Sequence, residues 1–194
     1  MTRRVVVRGA LAAGAGAVLA SAAGCTEPAS SPRNQRVLLA YFSRPGENYY
    51  YGDRIDLDVG NTQVLAGLIR DRIGCDVHRI RESDLYPHDY DATVARNVEE
   101  QEADARPAVA DPLPDLAAYD VVLLASPIWN VRPPMIMRTF TEALDFDGIT
   151  VHPLTTHAMS GLGTAERDYA ESCAGDEWLV RVDLTSARPP TTER

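Results

Sequence analysis

Two seven-residue runs, Arg36-Val-Leu-Leu-Ala-Tyr-Phe42 and Tyr119-Asp-Val-Val-Leu-Leu-Ala125, constrain the fold more than any other feature of the sequence. Neither alternates apolar with polar, so each reads as a strand buried on both faces, and such strands belong to parallel sheets covered by helices. The segments between and around them supply those helices. Residues 62–73 carry Val64, Leu65, Leu68, Ile69 and Ile73 at helical spacing and stop at Gly74. Asp76–Ile80 reads as a short strand, 90–105 as a helix with an acidic solvated face, and 135–145 as another helix. Thr150–Leu154 is a fourth strand, a helix runs on from the loop 155–163 to Ala170, and Trp178–Val182 is a fifth strand. The pattern predicts a three-layer, doubly wound α/β domain around a five-stranded parallel sheet.

Ligands of such sheets bind at the carboxyl ends of the strands, near the point where strand order reverses. Three unusual loops lie there. After the first strand, Ser43 and Arg44 open a loop that reaches a helix start, Gly60-Asn61-Thr62, only after an excursion through Pro45–Val59. Hydroxyls, a glycine and the free amides of a helix N-terminus make a cradle for a phosphate dianion without any lysine. Gly60-Asn61-Thr62 alone is equally an ordinary helix start. After the third strand, Pro127-Ile128-Trp129 sets an indole where a flat ring can stack, with Asn130 beside it to bond the ring's polar edge. After the fourth, Thr156-His157 and Ser160-Gly161 give a small-residue turn open to close approach, His157 serving either the ligand or the loop itself. Phosphate cradle, aromatic platform and polar rim together suit flavin mononucleotide, whose ring carries the electron chemistry while the protein binds and orients it.

Charge narrows the partners. The chain carries −9, and its first 25 residues contain Arg3, Arg4 and Arg8 with no acid, which leaves −12 for the remainder. That surface repels nucleic acid and anionic lipid, and suits a basic partner or simple solubility. All 19 basic residues are arginine, which excludes a Walker P-loop, a Schiff-base lysine and a lysine general base.

The N-terminus reads as an address. Thr2–Arg8 resembles a twin-arginine export signal, and the charge-free stretch from Gly9 to Gly24 is too short and too weakly apolar to span a membrane. Ala22-Ala23-Gly24-Cys25 resembles a bacterial lipobox, with Ala in place of the usual first Leu, which marks Cys25 for lipidation. The expected organisation is a signal at 1–25, a polar tether at 26–34, the domain at 35–184 and a disordered tail at 185–194.

The segments Ala40–Arg44, Gly60–Thr62, Pro127–Trp129 and Thr156–Gly161 resemble, in order, motifs of the flavodoxin family. The resemblance implies an FMN-binding domain with strand order 2-1-3-4-5. It assigns the phosphate to Ser43, Arg44, Gly46, Gly60, Asn61 and Thr62. The ring falls to Pro127, Ile128, Trp129 and Asn130, and its other rim to Thr156, His157, Ser160 and Gly161. In flavodoxins the phosphate loop is compact, so residues 45–59, with Tyr49, Tyr50 and Tyr51, read as an insertion whose ends must return to one place. A lid, a docking element and a packed surface excursion all remain open for it.

Two departures stand out: Asn130 where relatives often carry a second Trp, and no final helix after the fifth strand, which would leave one sheet face partly bare and is consistent with a homodimer, a lower stability or a truncated gene product. The implied order sets Cys75 and Cys173 near opposite sheet edges, beyond disulfide reach. The expected function is electron transfer at the outer face of the cytoplasmic membrane, through a redox partner protein or a quinone, with the lipid as the sole membrane contact and no nucleic acid. The alternatives are an FMN-dependent NAD(P)H or quinone oxidoreductase and a flavin-free binding module on the same fold.

Overall fold

The computed structural model describes residues 35–173. They belong to the compact unit that begins at Asn34. The expected signal, Cys25, tether, fifth strand and tail all lie outside the described residues.

The central sheet holds β1 (Val37–Phe42), β4 (Asp76–Ile80), β5 (Val121–Pro127) and β6 (Thr150–Thr156) in the order β4-β1-β5-β6. All three pairings are parallel, with Phe42 opposite Ile80, Tyr41 opposite Ala125 and Pro127 opposite Thr156. This is the order expected for the first four strands of a flavodoxin-like sheet, and its direction reverses between β1 and β5. The carboxyl ends of those two strands therefore flank the switch-point crevice.

Alternate residues of each strand serve different layers, as the pleat requires. On one face Leu38, Ala40, Phe42, Ile80, Val122 and Leu124 pack with Ile136, Met137 and Phe140 of α3 (Met135–Glu142) and Tyr169 of α4 (Ala165–Ser172). On the other, Leu39, Tyr41, Ala125 and Leu154 meet Ala66 of α1 (Asn61–Ile73). Among the described residues α1 is the only helix on this face, and Val64 and Leu68 stay exposed on it. Cys75 and Cys173 are free thiols, the first just before the edge strand β4 and the second after α4.

The excursion is a β-hairpin. β2 (Gly46–Tyr50) and β3 (Asp53–Leu57) pair antiparallel across the two-residue turn Tyr51-Gly52, whose φ angles are 48° and 97°. Both central residues at positive φ define the primed turn whose twist matches a hairpin. One ribbon face is pinned to α2 (Tyr90–Glu102): Arg54 lies over the Tyr90 ring at 3.8 Å, Tyr90 N donates to Glu47 at 3.1 Å, and His88, just before the helix, meets Asp56 at 3.1 Å.

Candidate functional site

The two halves of the split loop reconverge. A Cβ on Gly60 would strike the Arg44 carbonyl oxygen and Ser43 Oγ, so only glycine lets the incoming chain pass this close to the outgoing one. Ser43, almost fully buried, accepts a hydrogen bond from Gln63 N at 3.1 Å, which ties the end of β1 to the first turn of α1. Helix α1 has no acid in its first turn and no cap from its own N-cap side chain, whereas α2 is capped by Asp89, which accepts from Ala92 N at 2.7 Å. The amides of Asn61 and Thr62 lie in that first turn, where no helical carbonyl can reach them. The positive end of the helix dipole is thus kept free of carboxylates at the switch point. Thr62 Oγ1 lies 2.7 Å from Thr156 Oγ1, so the cradle is joined to the end of β6.

Arg44 departs from its expected part. Its guanidinium donates to the carbonyl oxygens of Pro87 at 2.8 Å, of His88 at 3.1 Å and of Glu47, and the side chain is buried. Burial lowers its pKa, and acids led by Glu47 offset part of that. A guanidinium with three carbonyls around it roots the hairpin rather than facing the cradle. Gly46 does the same at φ 93°, where a Cβ would crowd Arg44 Nη1 and the His88 carbonyl. Asn61 is exposed on the first turn of α1.

Past β5 the chain makes a second primed turn, Asn130-Val131, with φ of 49° and 70°. Trp129 N donates to Arg132 O at 2.9 Å and Arg132 N returns a bond to Trp129 O at 3.3 Å. Asn130 is therefore the corner of a hairpin turn, exposed, and the conformation suits Asn far better than Val. The turn is clamped from behind. Thr164 N donates to Val131 O at 2.8 Å, and Gly163 leaves room for that carbonyl where a Cβ would collide with it. Arg132 reaches Asp168 on α4 at 3.2 Å. Burial works to raise the Asp168 pKa, but the bonds from Arg132 and Thr164 outweigh it and hold the carboxyl below its usual range.

Trp129 is half-buried and edge-on to two rings, Phe42 at 5.7 Å and Tyr86 at 5.0 Å. Tyr86 is itself fixed: its hydroxyl donates to Glu100 at 2.8 Å, Arg96 covers its face at 4.1 Å, and Arg96 Nε bonds Glu100 at 2.8 Å. Burial, then the Glu100 charge, push the Tyr86 pKa well above its ordinary value. Tyr86, Arg96, Asp168 and Thr164 escaped the sequence reading, and Glu100, expected with Glu99, Glu102 and Asp104 on the solvated face of its helix, is instead buried and bonded to Tyr86, because nothing near them in the chain announces the partners they meet in space. Pro127 and Ile128 lead into the Trp129 turn, and Ile128 N donates to Thr156 O at 3.0 Å. His157 follows with its Nδ1 buried and without a hydrogen-bond partner. The rim closes with Gly161 at φ 60°, whose carbonyl accepts from Thr155 Oγ1 at 3.1 Å, and with exposed Ser160.

An acid-free helix start at the switch point, an indole after β5 and a hydroxyl-bearing rim after β6 stand together at the carboxyl edge of an open parallel α/β sheet, where such sheets hold their ligands. The chain belongs to the flavodoxin family, whose sequence profile matches residues 57–187. The match begins within β3, so β1 and Ser43 precede it. Similar crystal structures include two proteins assigned as flavoproteins. That of Bacteroides eggerthii is 26% identical with a TM-score of 0.59, over 77% of this chain and 91% of its own. That of Bacteroides uniformis is 26% identical with a TM-score of 0.57, over 74% and 88%. A flavoprotein of Lactobacillus acidophilus in complex with FMN shares the fold at 16% identity, with a TM-score of 0.56 over 74% of this chain and 91% of its own. No curated protein matches the chain.

Proposed function

We propose that the protein binds FMN at the carboxyl ends of β1, β5 and β6 and serves as an electron-transfer flavoprotein, exported and held by a lipid on Cys25 at the outer face of the cytoplasmic membrane. The observation that carries the reading is the cradle, in which Gly60 is pressed against Ser43 at the start of an acid-free helix. The residues present fit a flavin nucleotide on two counts. The first turn of α1 carries no acid and no side-chain cap, which leaves its amides to an anion, and the buried, unpartnered Nδ1 of His157 lies on the rim assigned to the ring.

In this reading the amides of Asn61 and Thr62 and the hydroxyls of Ser43 and Thr62 hold the phosphate, with the helix dipole behind them. Trp129, braced by Phe42 and Tyr86, and the segment Thr156–Gly161 orient the ring and keep water from it. When bound, FMN supplies reversible one- and two-electron chemistry, so no side chain need act as nucleophile or base. The twin-arginine pattern supports export of an already folded protein, and the family and its FMN-bound structural neighbour support the cofactor.

The test is a fluorescence titration of FMN into the chain from Thr26 onward, with Trp129→Ala and Gly60→Ala beside it. Saturable quenching weakened by both substitutions is the expected result. A folded wild-type chain that leaves flavin fluorescence unchanged would overturn the reading.

A further inference from the structure

The hairpin has two unlike faces. Opposed residues of an antiparallel pair share a face, so Glu47, Tyr49, Arg54 and Asp56 lie together and are the ones pinned towards α2. The opposite face carries Tyr50 and Ile55, 46% and 37% exposed, and Tyr51 extends it at the tip, 75% exposed. Among the described residues the Tyr51 ring has Tyr50 as its one ring partner, edge-on at 4.9 Å. Val59 adds a further exposed apolar side chain at the ribbon's foot. These apolar groups are bordered by Asp53 and Asp58, which enter no ion pair among the described residues, whereas Asp56 and Arg54 are engaged with His88 and Asp91 on the pinned side. The basic group of the ribbon is thus turned inward and its uncompensated charge outward.

We propose that this face, Tyr50, Tyr51 and Ile55 bordered by Asp53 and Asp58, is the docking surface for a basic protein partner, the electron donor or acceptor of the adjoining site. Charge complementarity selects the occupant. A chain carrying −12 outside its first 25 residues attracts cationic surfaces and repels both its own copies and anionic lipid. An arginine or lysine laid on an exposed tyrosine beside a carboxylate gains cation–π attraction and an ion pair together. The chain already uses that pairing internally, Arg96 covering Tyr86 and bonding Glu100. Tyrosine also supplies rigid contact area at low entropic cost, as interface anchors do. The partner's redox role rests on the electron-transfer reading; the docking surface itself does not.

The test uses cytochrome c, a basic haem protein, as probe, with binding to the chain from Thr26 onward measured by calorimetry at low ionic strength, without FMN and with it. Tyr50→Thr/Tyr51→Asn keeps a strand former in β2 and puts at φ 48° a residue that tolerates it, so the hairpin is retained. Saturable binding is expected, weakened at least tenfold by that pair and by Asp53→Asn/Asp58→Asn. Glu99→Gln/Glu102→Gln on α2, which removes the same charge, should change it less than threefold. Equal weakening by both acid pairs, absence of binding, or a tyrosine-dependent dimer in sedimentation would each overturn the proposal. A wild-type chain that binds the probe at the hairpin yet takes no FMN would retire the cofactor reading and leave the docking surface standing.

Discussion

The approach that closes the split loop is made by a residue with no side chain. Gly60 runs so near the end of β1 that one added methyl meets Ser43 Oγ and the Arg44 carbonyl together, and neither is the yielding end of a long side chain. Gly60→Ala is expected to cost about 1–3 kcal/mol, as overpacking generally does, and to weaken FMN binding with it. Thermal melts and the flavin titration read the two effects separately. Ser43→Ala removes the partner of Gln63 N and should cost about 1 kcal/mol without overpacking, so a larger loss of FMN than of stability would place the hydroxyl on the phosphate. That Gly60 and Thr62 open a helix was legible in the sequence, because a helix start is local chemistry written in consecutive residues. The inward turn of Arg44 was not, since its acceptors at Pro87 and His88 belong to a loop more than forty positions away.

Among the elements, the strands β1 and β5 declared themselves by unbroken apolar runs, and α1 by its spacing and its terminal glycine. The β2–β3 hairpin did not, because its turn is Tyr-Gly rather than Asn-Gly; short runs of β-formers on either side of Gly52 were the one available signal. The Trp129 turn was found as a loop but not as a braced one. Its bracing predicts that Tyr86→Phe, which strips one partner from a carboxylate only 9% exposed, costs about 1–3 kcal/mol and loosens the indole. Denaturant unfolding and tryptophan fluorescence in the FMN complex check both effects. On the other side, the Arg132–Asp168 tie joins this turn to α4. The folded pKa of Asp168 lies below its unfolded value, so the tie contributes stability above the ordinary aspartate range, about 3.9, and loses it as pH falls through the lower folded value. Asp168→Asn should therefore flatten the acid limb of a stability-against-pH curve.

For the whole molecule, the sheet order sets the thiols apart, and each meets its own surroundings. Cys173 is nearly sealed and burial pushes its thiol up to about 12, while Cys75 is half-buried, its pKa also raised by burial. A thiol reagent added to the native chain from Thr26 onward should label Cys75 slowly and leave Cys173 untouched; denaturant should release both, with no reductant needed. The sheet and its covering by helices on both faces could be predicted because burial on both faces leaves a mark on every residue of a strand. What the hairpin does could not, because an exposed face records only what it lacks. Yet the geometry of its root has a practical meaning. The ribbon leaves and rejoins the domain at two points that touch, like a clause in parentheses, so it can be shortened, exchanged or extended at Tyr51-Gly52 while the sheet stays in register. Chain added there carries little closure cost, about 0.6 kcal/mol for each doubling of a loop, and the tip is a ready attachment point for a reporter or a grafted recognition sequence on the ribbon that leaves the end of β1.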